Sequence, residues 1–133
     1  MAEETKHGQG LASVESRHSV DETVAKIEAI LAAKQVKLFV VIDHGGEAAA
    51  AGLSMPATMV VVFGNPRGGT PLMLAAPSVA IDLPLKLLVA EDADGVVRIV
   101  WNTPDYLEQR HGFPAALKAN IAVIEAIARA AAE

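Results

Sequence analysis

Four apolar runs of strand length, each ending near a polar or glycine-containing cluster, constrain the fold of this chain most. They cover residues 38–42, 58–63, 85–90 and 96–101. Asp94-Gly95 separates the last two runs, and this dipeptide favours a hairpin because its turn needs positive φ angles. A two-residue turn would place Glu91 opposite Arg98, which we prefer. A three-residue loop with a bulge at Gly95 would instead place Ala90 there.

Helical segments precede and follow these runs. Ser19 and Glu22 have the spacing of a capping box, and apolar residues at helical spacing follow them. This pattern predicts a helix over residues 20–34. Shorter helical segments carry a cap or an alanine-rich pattern, and we expect them at residues 47–51, at residues 70–75 with Thr70 as the N-cap, from Thr103, and from Pro114.

The order of these elements predicts an α+β fold. Tight connections between strands favour an antiparallel sheet with helices packed on one face. A length of 133 residues suits a single domain, which we place at residues 11–133. Residues 1–10 are polar and terminal, so we expect a disordered tail there. The strands are apolar on both faces, and the face without helices predicts a homodimer.

Composition excludes several classes of partner and chemistry. The formal net charge of -5 argues against nucleic-acid binding and against a polybasic membrane anchor. The chain has no cysteine, which rules out disulfides and thiolate ligands. Residues 1–10 lack the apolar segment of a signal peptide, and no apolar run approaches the roughly 20 residues that span a bilayer. We therefore expect a cytoplasmic protein without a membrane partner.

An ordered series of short motifs resembles domain-of-unknown-function family 302 of bacteria and archaea. The motifs run through residues 20–112 and are Ile42-Asp43-His44, Phe63-Gly64-Asn65-Pro66, Gly69-Thr70-Pro71-Leu72-Met73, Asp82-Leu83-Pro84-Leu85-Lys86, Glu91-Asp92, Asn102-Thr103-Pro104, Tyr106-Leu107 and Arg110-His111. The resemblance implies a TATA-binding-protein-like β-α-β(4)-α arrangement and a dimer. It does not imply DNA binding, and it carries no established activity. Trp101 departs from the family pattern, which usually has a tyrosine.

Four polar residues near predicted element ends are candidates for binding a small molecule: His44, Asn65, Glu91 and His111. His44 follows a strand and precedes two glycines, and an imidazole acts as acid, base or ligand near neutral pH. Each residue also has a local interpretation: a backbone contact for His44, a turn brace for Asn65, a hairpin ion pair for Glu91 and a helix C-terminus for His111. Binding requires that the four side chains converge on one hollow.

Three functions stay open at this point. The first is a small-molecule-binding protein with its pocket near His44, and the second is a homodimeric structural or regulatory module without catalysis. The third is a hydrolase or lyase with His44 and Glu91 as acid and base. The sequence indicates no cofactor, and the spacing of His44, His111 and Glu91 does not require a metal. No serine lies in a nucleophile elbow, so a Ser-His-acid triad is not indicated.

Overall fold

One antiparallel sheet organises the molecule. The computed structural model describes residues 4–6 and 8–133, and in this part of the chain six strands pair in the order β1-β2-β6-β5-β4-β3. The strands are β1 (Glu4–Lys6), β2 (Leu11–Ser16), β3 (Lys37–Asp43), β4 (Thr58–Gly64), β5 (Leu85–Glu91) and β6 (Val97–Asn102).

Helices connect and follow the strands. The described α-helices are α1 (Val20–Ala33), α2 (His44–Ala50), α3 (Pro66–Ala75), α4 (Pro104–His111) and α5 (Val123–Ala132). Short 3₁₀ helices cover Gly8–Gly10, Pro77–Asp82 and Ala115–Asn120. From β2 onward the order confirms the predicted single-domain α+β fold and its β-α-β(4)-α arrangement.

The hydrophobic core lies between one face of the sheet and helices α1 and α5. Ile27 of α1 and Ile127 of α5 are fully buried, and they belong to the same apolar cluster as Leu87 and Ile99 of the central strands. Burial of each such side chain stabilises the fold by roughly 1.5–3 kcal/mol relative to its exposure to water. The core-facing residues alternate along β5 and β6 as the strand period requires.

The predicted capping box begins α1. The backbone amide of Glu22 donates to Oγ of Ser19 at 3.1 Å, and the amide of Ser19 donates to Oε1 of Glu22 at 3.3 Å. Two of the amide groups at this helix terminus that lack helical partners are satisfied in this way. The hydrogen bonds with Ser19 also hold the pKa of the Glu22 carboxyl below its usual value.

Strand β3 forms an exposed, apolar edge of the sheet. Four of its apolar side chains are 38–46% exposed: Leu38, Phe39, Val40 and Ile42. A register shift between Leu38 and Val40 in the pairing with β4 leaves Phe39 as the extra residue of a bulge. Val40 and Ile42 lie opposite Val62 and Val60, on the face away from the α1–α5 layer. The strands next to this edge therefore have apolar side chains on both faces, as the sequence predicts.

The register of the β5–β6 hairpin corrects our preference. Ala90, not Glu91, lies opposite Arg98. The loop includes Gly95 at φ 83°, and Oδ1 of Asp92 accepts hydrogen bonds from the amides of Asp94 at 2.9 Å and Val96 at 3.1 Å. These bonds stabilise a longer loop than a two-residue turn, so the bulged alternative was right.

Helix α3 begins four residues before the predicted N-cap. Asn65 caps it, with Oδ1 accepting from the amide of Arg67 at 3.0 Å, and Pro66 is its first residue. Thr70-Pro71 therefore lies within the helix. Both Asn-Pro and Thr-Pro have the composition of a helix start, and the sequence alone did not show which one begins the helix.

The two ends of the chain also differ from expectation. Residues 4–6 were expected to be disordered, but they form β1 by pairing with Lys6 opposite Ala12 and Glu4 opposite Val14. Backbone pairing with an existing strand does not require apolar side chains, which explains why composition missed it. Residues 1–3 and 7 of the predicted tail lie outside the described residues. At the other end, a 3₁₀ helix follows Pro114 and α5 begins only at Val123.

Candidate functional site

A cavity of about 440 Å³ lies where β4 runs into α3. Its apolar walls include Phe63, Leu85 and Ile121, which are at least nine-tenths buried. Met73 and Leu83 also line it and pack against the same core. The volume lies in the range of small-molecule sites, and such sites are lined mainly by apolar side chains.

Three uncharged polar side chains line the mouth of this cavity. Asn65, Thr70 and Asn120 are exposed, whereas the apolar walls behind them are mostly buried. The cap on Arg67 uses Oδ1 of Asn65, and the bond from Asn120 to the carbonyl of Gly68 uses Nδ2 of Asn120 at 3.1 Å. The other amide atoms, Nδ2 of Asn65 and Oδ1 of Asn120, leave one donor and one acceptor for a bound molecule.

A glycine brings the two walls of the mouth together. A Cβ added at Gly68 would lie 3.1 Å from the carbonyl oxygen of Asn120, closer than side chains ordinarily pack. The absence of a side chain at 68 allows α3 to approach the Ala115–Asn120 helix and allows the Asn120–Gly68 hydrogen bond to form. The shape of the mouth therefore depends on this close contact.

His44 and Glu91 lie at the opposite end of the sheet from the cavity. Strand β3 ends at Asp43 opposite Met59, and the amide of Glu91 donates to the carbonyl of Ala57 at 3.0 Å. Both side chains are exposed, and neither lines the cavity. The seven residues of β4 separate this end from Asn65 by about 20 Å at the usual rise per residue.

His44 and Glu91 are also apart from each other. They follow β3 and β5, which flank β4, so their backbones are two interstrand spacings apart, about 10 Å. His44 begins α2 behind its N-cap, Asp43, whose Oδ1 accepts from the amide of Gly46 at 2.8 Å. The arrangement fits the local interpretation of a helix start.

His111 lies near the cavity end of the sheet, in a hydrogen-bonded chain of its own. Nδ1 of His111 lies 2.8 Å from Oγ of Ser78, and Nε2 lies 2.5 Å from Oδ2 of Asp82. Arg110 also pairs with Asp82, with Nη1 3.1 Å from Oδ2. We name Ser78, Asp82, Arg110 and His111 the Ser78 cluster. It joins the end of α4 to the Pro77–Asp82 helix.

The structure therefore does not bring the four predicted site residues together. Asn65 lines the cavity, His111 belongs to the Ser78 cluster, and His44 and Glu91 lie at the far end. Ligand binding by any of them stays a prediction. In the described residues, no group of three or more His, Cys, Asp or Glu side chains is arranged to hold a metal ion.

The sequence did not predict the Ser78 cluster, because Ser78 and Asp82 precede their partners Arg110 and His111 by 28–33 positions. Ser78 lies in no nucleophile elbow, and a serine after a proline carries no signal of its own. Asp82 and His111 both belong to motifs that carry the family resemblance, which was the available hint.

The comparisons with known proteins agree with the fold. The chain matches the family described as Domain of unknown function DUF302 over residues 12–133. It is also similar to the crystal structure of an uncharacterized conserved protein DUF302 from Bacillus stearothermophilus. The TM-score is 0.75 and the identity 21%, over 92% of this chain and 95% of the other. At that identity the likeness shows the fold alone.

Curated relatives at higher identity are longer proteins. The chain is 43% identical over 102 residues to the Fluoride-specific ion channel FluC 1 of Brucella suis biovar 1 (strain 1330), which covers 77% of this chain and 40% of that protein. The match to Fluoride-specific ion channel FluC 1 of Brucella abortus biovar 1 (strain 9-941) has the same identity and covers 38% of that protein. The chain thus spans about two-fifths of the length of these relatives.

None of the described helices has the length and apolar character needed to cross a bilayer. The match over residues 12–133 extends from β2 through α5, beyond the motifs at residues 20–112 that carry the resemblance. The chain therefore belongs to the family described as Domain of unknown function DUF302.

Proposed function

We propose that this chain binds a small, uncharged and largely apolar molecule in the cavity beside α3. One observation carries the proposal: the cavity has buried apolar walls and three uncharged polar side chains at its mouth. Transfer of an apolar molecule into such a site contributes about 25 cal/mol per Å² of apolar surface removed from water. Asn65 is the predicted site residue that this proposal retains.

The residues that line the cavity also predict that charged molecules do not bind there. Its described lining residues include no Lys, Arg, His, Asp or Glu. A charged ligand would therefore lose its hydration without gaining a charged partner, which is costly in an apolar environment. Fluoride, which the names of the relatives suggest, is a small and strongly hydrated anion, and we expect it not to bind there.

A thermal-shift series with indole, 2-naphthol and benzyl alcohol, and with sodium fluoride as the anion, tests this proposal. The neutral compounds should raise the Tm, because a ligand at 100 times its Kd stabilises the folded state by about 2.7 kcal/mol. Fluoride should not. If none of the three neutral compounds raises the Tm, the proposed binding in the cavity is wrong.

Two variants locate the binding. Gly69→Leu adds a side chain whose Cβ would meet Leu83 at 3.6 Å and Met73 at 3.9 Å, at ordinary contact distance, and whose remaining atoms would fill the hollow. It should abolish the shift, whereas Ala49→Leu adds the same side chain at an exposed position of α2 and should keep it. Equal shifts in both variants would place binding elsewhere.

A homodimeric regulatory module is the second candidate, and the exposed β3 edge favours it. In the described sheet β3 pairs only with β4, so its other edge presents backbone groups to a further strand. Antiparallel pairing of two β3 strands centred on Val40 would place Lys37 opposite the partner's Asp43. The strand is thus self-complementary in charge as well as apolar in the middle.

The relatives suggest a setting for such a module. Their matched segment makes up about two-fifths of proteins named fluoride-specific ion channels. We infer that this chain acts in the cytoplasm beside a channel of that kind, as a regulatory domain that does not itself bind the ion. The fluoride arm of the thermal-shift series separates this role from direct fluoride binding.

A further inference from the structure

We propose that Ser78 is a nucleophile toward esters with apolar acyl groups, with His111 as its base and Asp82 as the residue that positions His111. This site is separate from the cavity, since none of the three residues lines it. The proposal therefore does not depend on the proposed ligand.

The two contacts of His111 give each ring nitrogen one role when the ring is neutral. The ionised Asp82 carboxylate only accepts hydrogen bonds, so Nε2 of His111, 2.5 Å away, carries the proton of the neutral ring. Nδ1 then has a lone pair directed at Oγ of Ser78, 2.8 Å away, and the hydroxyl donates to it. This is the arrangement that activates a serine, with the roles of the two ring nitrogens exchanged relative to the usual triad.

The base is buried, whereas the residue that carries the nucleophile is exposed. The side chain of His111 is 4% exposed and that of Asp82 is 13% exposed, whereas Ser78 is exposed. Hydrogen bonds in such a poorly hydrated place are stronger than in water. Arg110, whose side chain is 47% exposed, contacts Oδ2 of Asp82 at 3.1 Å.

The surface around Ser78 favours an apolar acyl group. Ile81 is three residues after Ser78 in a 3₁₀ helix, whose residues i and i+3 lie on one side. Ile81 is 73% exposed, and Leu74, at the end of α3, is 80% exposed. Ile81 would lie against an acyl chain that the serine has accepted.

The reaction balances without an oxidant or a cofactor. Oγ of Ser78 attacks the ester carbonyl carbon and its proton passes to Nδ1 of His111. The bond to the leaving alcohol then breaks, and His111 returns the proton to that oxygen. A water molecule attacks the acyl-serine by the same path, with His111 taking and returning its proton, and releases the carboxylic acid and the free serine.

Incubation with 4-nitrophenyl butyrate, followed by intact mass measurement and peptide mapping, tests the proposal. The expected result is one butyryl group on Ser78 and release of 4-nitrophenol. Ser78→Ala should remove this label, while Ser54→Ala, at an exposed loop serine, should keep it. His111→Gln should slow the acylation of Ser78 by about 100-fold or more.

Asp82 is tested by a pair of variants whose folding is checked by thermal melts. Asp82→Asn should slow acylation by about tenfold or more because the amide no longer selects the proton on Nε2, and Asp82→Glu should recover part of the rate. A purely structural cluster would move the Tm in these variants without a label on Ser78 in any of them. The proposal is overturned if wild-type protein neither carries a butyryl group on Ser78 nor releases 4-nitrophenol faster than Ser78→Ala. It is also overturned if His111→Gln acylates Ser78 at the wild-type rate.

Discussion

At the scale of the residue, Asp92 shows how one side chain holds a loop. Its Oδ1 accepts from two backbone amides of the hairpin, and its Oδ2 lies 2.5 Å from Nη1 of Arg98. The hydrogen bond from Arg98, followed by the one from Val96, holds the pKa of Asp92 below its usual value. The sequence predicted the turn, but the partner of Arg98 is Asp92 and not Glu91.

This lowered pKa gives a stability that depends on pH. A carboxyl whose pKa is lower in the folded state stabilises the fold above its unfolded pKa of about 3.9, and the contribution is lost as the pH falls through the folded value. Asp92→Asn keeps a side-chain oxygen that can accept from the two backbone amides, and it removes the negative charge. It should lower the urea midpoint at pH 7, more so at low salt because Arg98 and Asp92 are 43% and 38% exposed.

The urea midpoints of the wild type and of Asp92→Asn should converge when the pH falls below the folded-state pKa of Asp92. Ser54→Ala serves as a control at an exposed position outside the hairpin. An offset of the same size at neutral and acid pH would show that Asp92 stabilises the loop through its amide contacts alone.

At the scale of the element, local signals predicted the starts of α1 and α4 and the hairpin turn, but not the starts of α2, α3 and α5. The Ser19 cap, the Thr103 cap and the hairpin at Gly95 follow from side chains within four residues of the backbone that they bind. The start of helix α3 did not follow from local signals, because Pro71 lies inside the helix although proline removes a backbone donor there. Packing of α3 against the sheet end and the Ala115–Asn120 helix decides its length.

Two glycine-to-alanine variants test whether a Cβ destabilises the fold at the turn but not in a helix. A Cβ at Gly95 would meet nothing within 4 Å, so Gly95→Ala should destabilise the fold through its φ of 83° alone, by about 1–2 kcal/mol. Gly45→Ala in α2 meets its nearest atom at an ordinary 3.6 Å and should be neutral or stabilising by up to about 1 kcal/mol. Urea unfolding at equilibrium measures both, and a harmless Gly95→Ala would contradict the assigned loop.

At the scale of the whole molecule, the sheet has two unlike sides. Helices α1 and α5 bury one face, while Val40 and its neighbours on β3 leave an apolar edge that is 38–46% exposed. Apolar sheet edges of this kind pair with other chains unless charge or cover prevents it. The predicted homodimer stays a prediction, now with a defined surface.

Light scattering coupled to size-exclusion chromatography tests that surface. Wild-type protein at micromolar concentration should have the mass of a dimer. Val40→Lys should be monomeric, because a lysine at the centre of the edge opposes its own copy across the two-fold axis. Leu53→Lys, at a loop position that is 69% exposed, should remain dimeric. A wild-type monomer, or a dimer in Val40→Lys, would exclude this interface.

Local sequence patterns predict the antiparallel α+β class, most strand positions, the cap of α1 and the family, because strand alternation, turn chemistry and helix caps act over a few neighbouring residues. The folded chain adds relations that these patterns do not contain. Asn65 lines an apolar cavity, His44 and Glu91 lie at the other end of the sheet, and Ser78, Asp82 and His111 form one chain of hydrogen bonds. Those relations join residues distant in sequence. Strand register and the packing of α3 and α4 place them, and no local pattern encodes that placement.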